Sequence, residues 1–194
     1  MSNKSLIQDI LDVEWNMFHR IKSAFPAVCQ NSPDTFRSVR GSIFDLWTTE
    51  MLQSYLNDLT VAQSQGRNLP AEKYARMDSL LGPQKINPVI EKIVDIETQW
   101  QNEIKKKYPH LYHVVCRRTD PSNDGSNFGI YLRGELETYG DRTIDLYCQQ
   151  VQSCVENQEN LALKMLLQLV RKGGFENLEH AESYFADARN LQNG

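Results

Sequence analysis

Apolar residues return at three- and four-residue intervals along most of this chain, the spacing of helices that bury one face. Ile7, Ile10, Leu11, Phe18 and Ile21 predict a helix over roughly 5–24, ended by Pro26. Ser32 or Asp34 can cap a second, long helix over about 34–64, with Phe44, Trp47, Met51, Tyr55 and Ala62 on one side. Gly66 stops it where a left-handed backbone is needed. Asn68 opens the next helix, with Pro70 in its first turn, and Gly82-Pro83 closes it. Asn87-Pro88 then starts a helix bearing Ile90, Ile93, Val94, Trp100 and Ile104, which Pro109 ends. A second long helix is expected over about 128–156, a further one from Asn160 to Gly173-Gly174, and a last one from Asn177. Leu111-Tyr-His-Val-Val-Cys116 is β-prone but has no partner strand, and reads as loop or distorted helix.

The same landmarks occur twice in the same order. Gln8-Asp-Ile-Leu-Asp-Val-Glu14 returns as Glu91-Lys-Ile-Val-Asp-Ile-Glu97. Arg40-Gly41 returns as Arg133-Gly134, Tyr55 as Tyr147, and Asn68-Leu69 as Asn160-Leu161. The expected fold is therefore all-α: about seven helices in two pseudo-symmetric halves, forming a single helical bundle with an internal duplication. One domain is expected over 1–194, with repeats at 5–82 and 88–174 and a C-terminal docking helix at 177–190.

Charged residues interrupt the apolar stripes at matching places. Glu14 lies between Leu11 and Phe18, and Glu97 between Ile90 and Ile104. A buried carboxylate needs a cation or a proton. Arg40 and Arg133 lie on the apolar faces of the long helices and suit the task, because a guanidinium grips a carboxylate with two bonds. The expected pairs are Glu14–Arg40 and Glu97–Arg133, or their crossed versions. They act either as internal bridges that align the halves or as the charged lining of a polar cavity between them. In the second reading Glu14 and Glu97 are candidate catalytic groups, while Arg40, Arg133, Trp47, Tyr55, Asp58 and Tyr147 are candidate ligand contacts. Tyr131 and Tyr139 add further hydroxyls, and Asp58 has Gln150 at the matching place in the second half.

Composition narrows the function classes. Hydrophobic residues make up 40% and charged residues 24%, with a net charge of -4. That balance lacks the basic footprint of a nucleic-acid binder, and Lys105-Lys-Lys107 with Arg117-Arg118 is the one basic cluster. No apolar run suits a membrane span, and the first residues lack a signal-peptide core, so a cytoplasmic protein is expected. The four cysteines, Cys29, Cys116, Cys148 and Cys154, are then expected to be reduced, with a partly buried thiol favoured over a reactive one at Cys29 or Cys116. His110-x-x-His113-x-x-Cys116 has usable metal spacing, but neither Glu14 nor Glu97 is followed by the histidine of a di-iron motif, and no metal site is assigned. Phosphate-loop, dinucleotide and nucleophile-elbow motifs are absent, and no cofactor is indicated.

Glu14-Trp15, Arg40, Leu52-x-Ser54-Tyr55, Gly66-Arg-Asn-Leu69 and Glu72-Lys-Tyr-Ala-Arg-Met77 resemble the first half of an uncharacterised bacterial family, domain of unknown function number four thousand one hundred and twenty-five. Tyr131-Leu-Arg-Gly-Glu-Leu136, Thr138-Tyr139, Leu146-Tyr147 and Asn160-Leu161 resemble its second half. The chain departs from that pattern at Gln158-Glu159, where a glycine is expected, and at Gly140, where a small hydroxyl residue is more usual. The resemblance implies no activity. The residues themselves point to a small polar or anionic ligand bound between the halves at a buried Glu/Arg site, which in an enzyme would also turn it over. The competing expectation is a non-catalytic interaction or accessory module that docks a protein partner.

Overall fold

The computed structural model describes residues 2–21, 32–81, 87–121 and 127–192. Among them are ten helices and no strand. α1 (Asn3–Phe18) is capped by Ser2, whose side chain accepts the Ser5 N–H. α2 (Pro33–Phe44) starts from Ser32 with proline in its first turn. α3 (Thr49–Ser64), α4 (Leu69–Met77) and α5 (Pro88–Lys107) follow. α6 (Pro109–Val115), α7 (Phe128–Leu136), α8 (Asp141–Glu156), α9 (Leu161–Lys172) and α10 (Leu178–Gln192) complete the chain. α1 packs against α2, α3 and α4; α5 packs against α6, α7, α8 and α9.

Each of the two long helices expected from periodicity is in fact two. Residues 45–48 turn between α2 and α3, because Thr48 accepts the Met51 N–H and so starts a new helix. The turn lets Phe44 and Trp47 meet edge to face at 5.1 Å in the core. Between α7 and α8 the break falls at Glu137–Gly140. Here the cap is borrowed: Asp58 of α3 accepts the Gly140 N–H at 2.9 Å and the Thr143 hydroxyl at 2.6 Å. A Cβ on Gly140 would lie 2.4 Å from Asp58 Oδ1, so this position has room only for glycine.

The β-prone stretch after Pro109 is the regular helix α6. Proline ends α5 and also occupies the first turn of α6, where its missing N–H costs nothing. α6 has no side-chain cap of its own. Glu182 of α10 accepts the N–H groups of His110 and Leu111 and contacts His110 Nδ1 at 2.7 Å. α10 thus docks on its own chain, burying Leu178 and Ala181 against α6 and α9.

The turns after α3 and α8 have one geometry. Gly66 has φ 69° and Gln158 has φ 56°. Arg67 N–H reaches Ala62 O at 2.9 Å, and Glu159 N–H reaches Cys154 O at 2.8 Å. Asn68 caps α4 and also donates to Met17 O; Asn160 caps α9 and donates to Trp100 O. The closing Gly82-Pro83 and Cys29 lie outside the described residues.

Candidate functional site

Two polar centres lie in the apolar interior, each built on a glutamate of a central helix. At the first, Glu14 is buried on α1 at 2% exposure. Arg40 of α2 grips it with two bonds, Nε to Oε2 at 2.9 Å and Nη2 to Oε1 at 2.5 Å. Tyr55 of α3 adds a hydroxyl bond to Oε1 at 2.6 Å. The third arm of Arg40 reaches Glu135 of α7 at 2.6 Å. Glu135 also takes the Lys73 ammonium of α4 at 3.1 Å and the Tyr139 hydroxyl at 3.0 Å. Lys73 in turn bonds Tyr131 Oη at 3.2 Å.

Two carboxylates and two cations balance here. Burial by itself would raise the Glu135 pKa, but Arg40 and Lys73 outweigh it and hold the carboxyl well below the usual range. The same attraction overcomes burial at Lys73 and Arg40, raising both above their ordinary values. A void of about 70 Å³ beside this cluster, walled by Phe18, Phe36 and Tyr74 among others, has room for a few waters only.

At the second centre, Glu97 on α5 is equally buried, at 2% exposure. Tyr147 of α8 donates to its Oε1 at 2.5 Å, as Tyr55 does to Glu14. No cation meets it among the described residues. Burial lifts its pKa from 4.5 to about 7, against the opposing bond from Tyr147 and with a smaller push from Glu135.

The expected Glu97–Arg133 pair, direct or crossed, does not form. Arg133 lies at the surface in a two-bond pair with Glu91 of α5, at 2.6 and 2.7 Å. Helix geometry explains the exchange, because six residues are about one and two-thirds turns and put the two glutamates on different faces of α5. Glu91 is six residues before Glu97, facing outward, and a half-exposed guanidinium keeps its hydration while pairing there.

Glu97 borders a solvent-open cavity of about 520 Å³ lined by residues of α2, α4, α5, α7, α8, α9 and residues 115–117. Its walls are largely apolar and aromatic, with Trp47, Tyr139, Tyr147, Leu132, Met165 and Leu166 among them. Gln101, one turn beyond Glu97, lines the same space, and its buried Oε1 has no hydrogen-bond partner. Trp47 is the hub of the aromatic packing, with Tyr55 at 5.6 Å, Tyr147 at 5.8 Å and Tyr139 at 6.0 Å. Cys116 also borders the cavity, and burial pushes its thiol up to about 12, which keeps it protonated and unreactive.

The structure therefore gathers Glu97, Trp47, Tyr147 and Arg40 around the larger cavity and Glu14, Arg40 and Tyr55 around the smaller one. It turns Arg133 outward to Glu91 and commits Asp58 to capping α8, so these two expected ligand contacts border neither space. Sequence reasoning missed Glu135, Lys73 and Gln101. Lys73 and Glu135 each follow a landmark, Asn68-Leu69 and Arg133-Gly134, but their order gives no sign that the two meet. Gln101 was legible as the residue one turn after Glu97 on the same face.

Among the described residues no cluster of histidine, cysteine and carboxylate side chains is placed to hold a metal, and no helix is long and apolar enough to cross a membrane. His110 of the candidate metal spacing is engaged with Glu182. No curated protein and no solved structure matches the chain. The sequence profile of the family described as "Protein of unknown function (DUF4125)" matches residues 4–183, nearly the whole length, and the chain belongs to that family.

Proposed function

We propose that this protein binds a small polar molecule in the cavity beside Glu97. The observation that carries the reading is a solvent-open cavity of about 520 Å³ with aromatic walls and a buried carboxyl that no cation neutralises among the described residues. That volume falls in the range of small-molecule sites, and few convergent polar groups in an apolar pocket is their usual chemistry. A carboxyl poised near pH 7 is also suited to proton transfer, so Glu97 is the candidate acid or base if turnover occurs.

The reading includes a duplicated scaffold with a divided role. The paired Tyr–Glu bonds, the paired asparagine caps and the matching left-handed turns support two related units, 5–82 and 88–174, in one domain. In the first, Arg40 and Lys73, joined by Glu135 of the second, fill the space beside Glu14 and act as a structural bridge. In the second, Arg133 has left, Met165 stands where Lys73 would, and a cavity remains. An anionic ligand is disfavoured at the bridge, because each guanidinium nitrogen of Arg40 already contacts the carboxylate of Glu14 or Glu135. The interaction-module reading is left a smaller surface, since Leu178 and Ala181 of the apolar stripe of α10 are buried against α6 and α9.

Native mass spectrometry of the protein purified from cells tests the proposal. Retained mass that disappears on denaturation, and that Met165→Trp abolishes by filling the cavity, is the expected result. A wild-type protein that carries no small molecule, and whose melting temperature no metabolite mixture shifts, would sink it.

A further inference from the structure

The polar inventory of the cavity says which end of a ligand faces Glu97. Three hydroxyl protons bordering the space are already spent: Tyr147 donates to Glu97, Tyr139 to Glu135, and Ser42 to Val39 O, while Tyr131 accepts from Lys73. The wall formed by α5 offers two acceptors, the second oxygen of Glu97 and the unpartnered Oε1 of Gln101, with the Gln101 amide N–H group beside them. These two lie one helical turn apart on the same face of α5 and both border the space. The aromatic rings of Trp47, Tyr139 and Tyr147 border the same space, and aromatic faces attract cations. The guanidinium of Arg40 borders the same space with its donors occupied, and Arg117, at the exposed rim, is held over the Tyr131 ring at 4.4 Å.

We infer that the ligand is an amine: an ammonium group carried on an apolar body, with its N–H donors on Glu97 and Gln101 and its body against the aromatic wall. This deepens, and rests on, the small-molecule reading above. The ammonium supplies both what the carboxylate lacks, a positive charge, and what the amide oxygen lacks, a donor.

Binding is then linked to protons. Tyr147 bonds Glu97, Cys154 of α8 and Glu135 of α7 act on it electrostatically, and Arg40 of α2, Tyr74 of α4, Tyr131 of α7, Tyr139 from the turn after α7, and Cys116 and Arg117 from the segment after α6 share its cavity; the α9 residues bordering the cavity carry no titratable group. Tyr147 and Cys116 stay neutral between pH 6 and 8, as burial raises both, and Glu135 stays ionised. An alkyl ammonium also keeps its charge over that range. Glu97 is the buried group here that changes charge, so an ammonium binds roughly tenfold tighter at pH 8 than at pH 6 and displaces about one proton at the lower pH.

Isothermal calorimetry with 2-phenylethylamine, 2-phenylethanol and phenylacetate at pH 6 and 8 tests this on the full chain. The expected result is binding of the amine in preference to both others, the tenfold pH effect in wild type, and loss of the preference and the pH effect in Glu97→Gln. The pH comparison needs no variant, so a folding failure of Glu97→Gln leaves it intact. If the alcohol or the acid binds as well as the amine and Met165→Trp blocks them all, the cavity reading stands and the amine inference falls. If none of the three binds wild type, the amine inference falls, and the cavity reading is decided by the native mass spectrometry above.

Discussion

Glu97→Gln should stabilise this protein at alkaline pH and do little at acid pH. The carboxyl has a pKa of about 7 in the fold against an ordinary 4.5, because burial opposes its charge and no cation is near. That gap corresponds to about 3 kcal/mol of cost to the ionised fold. The sign follows from proton binding. Between pH 4.5 and 7 the folded chain holds a proton that the unfolded chain has released, so this group's contribution is greatest below pH 4.5, falls as pH rises through 7, and is level above. Glutamine removes the titration while keeping an acceptor for the Tyr147 hydroxyl, and its new amide donor sits one turn from the unpartnered Gln101 Oε1. Urea unfolding followed by tryptophan fluorescence measures the difference. The gap between variant and wild type should widen by about 2–3 kcal/mol from pH 5 to pH 8, moving the midpoint by about 1 M urea. Glu135 and the exposed carboxylates titrate in both proteins and cancel in the comparison. A gap that stays constant across this range, or widens toward acid, would show that Glu97 is not an isolated buried carboxyl and refute the reasoning.

Arg40→Met should cost about 3–5 kcal/mol, since it strips the guanidinium from both Glu14 and Glu135; adding Glu14→Gln should recover part of the loss, and a double-mutant cycle by urea unfolding reads the coupling. Gln158→Gly should stabilise by about 1 kcal/mol in thermal or urea unfolding, because it removes a side chain from a left-handed backbone that Gly66 occupies without strain; a neutral or destabilising result would contradict the turn geometry. Gly140→Ala should cost about 2 kcal/mol by displacing the Asp58 carboxylate from the start of α8, and should cost much less when Asp58→Ala is already present.

What one strand of text can carry, this sequence carried well. Periodicity alone determined that the protein is helical, because each helix must present one apolar stripe to its neighbours. It also exposed Glu14 and Glu97 as misfits on those stripes, and Arg40 as a partner, since a charge on an apolar face is visible without coordinates. Periodicity could not find the breaks at residues 45–48 and 137–140, because the stripe continues through them while capping groups restart the helix. Thr48 does so locally, whereas Asp58 does so from a different helix, which no local pattern records. Tertiary structure alone decided the fate of the charges. Lys73 and Glu135 meet across α4 and α7 and complete the bridge at Arg40. Arg133 turns instead to Glu91 at the surface, where pairing does not demand dehydration. Repetition in the sequence predicted two equal centres. Packing made them unequal, because the same glutamate and tyrosine are closed over by cations in one place and left beside open space in the other.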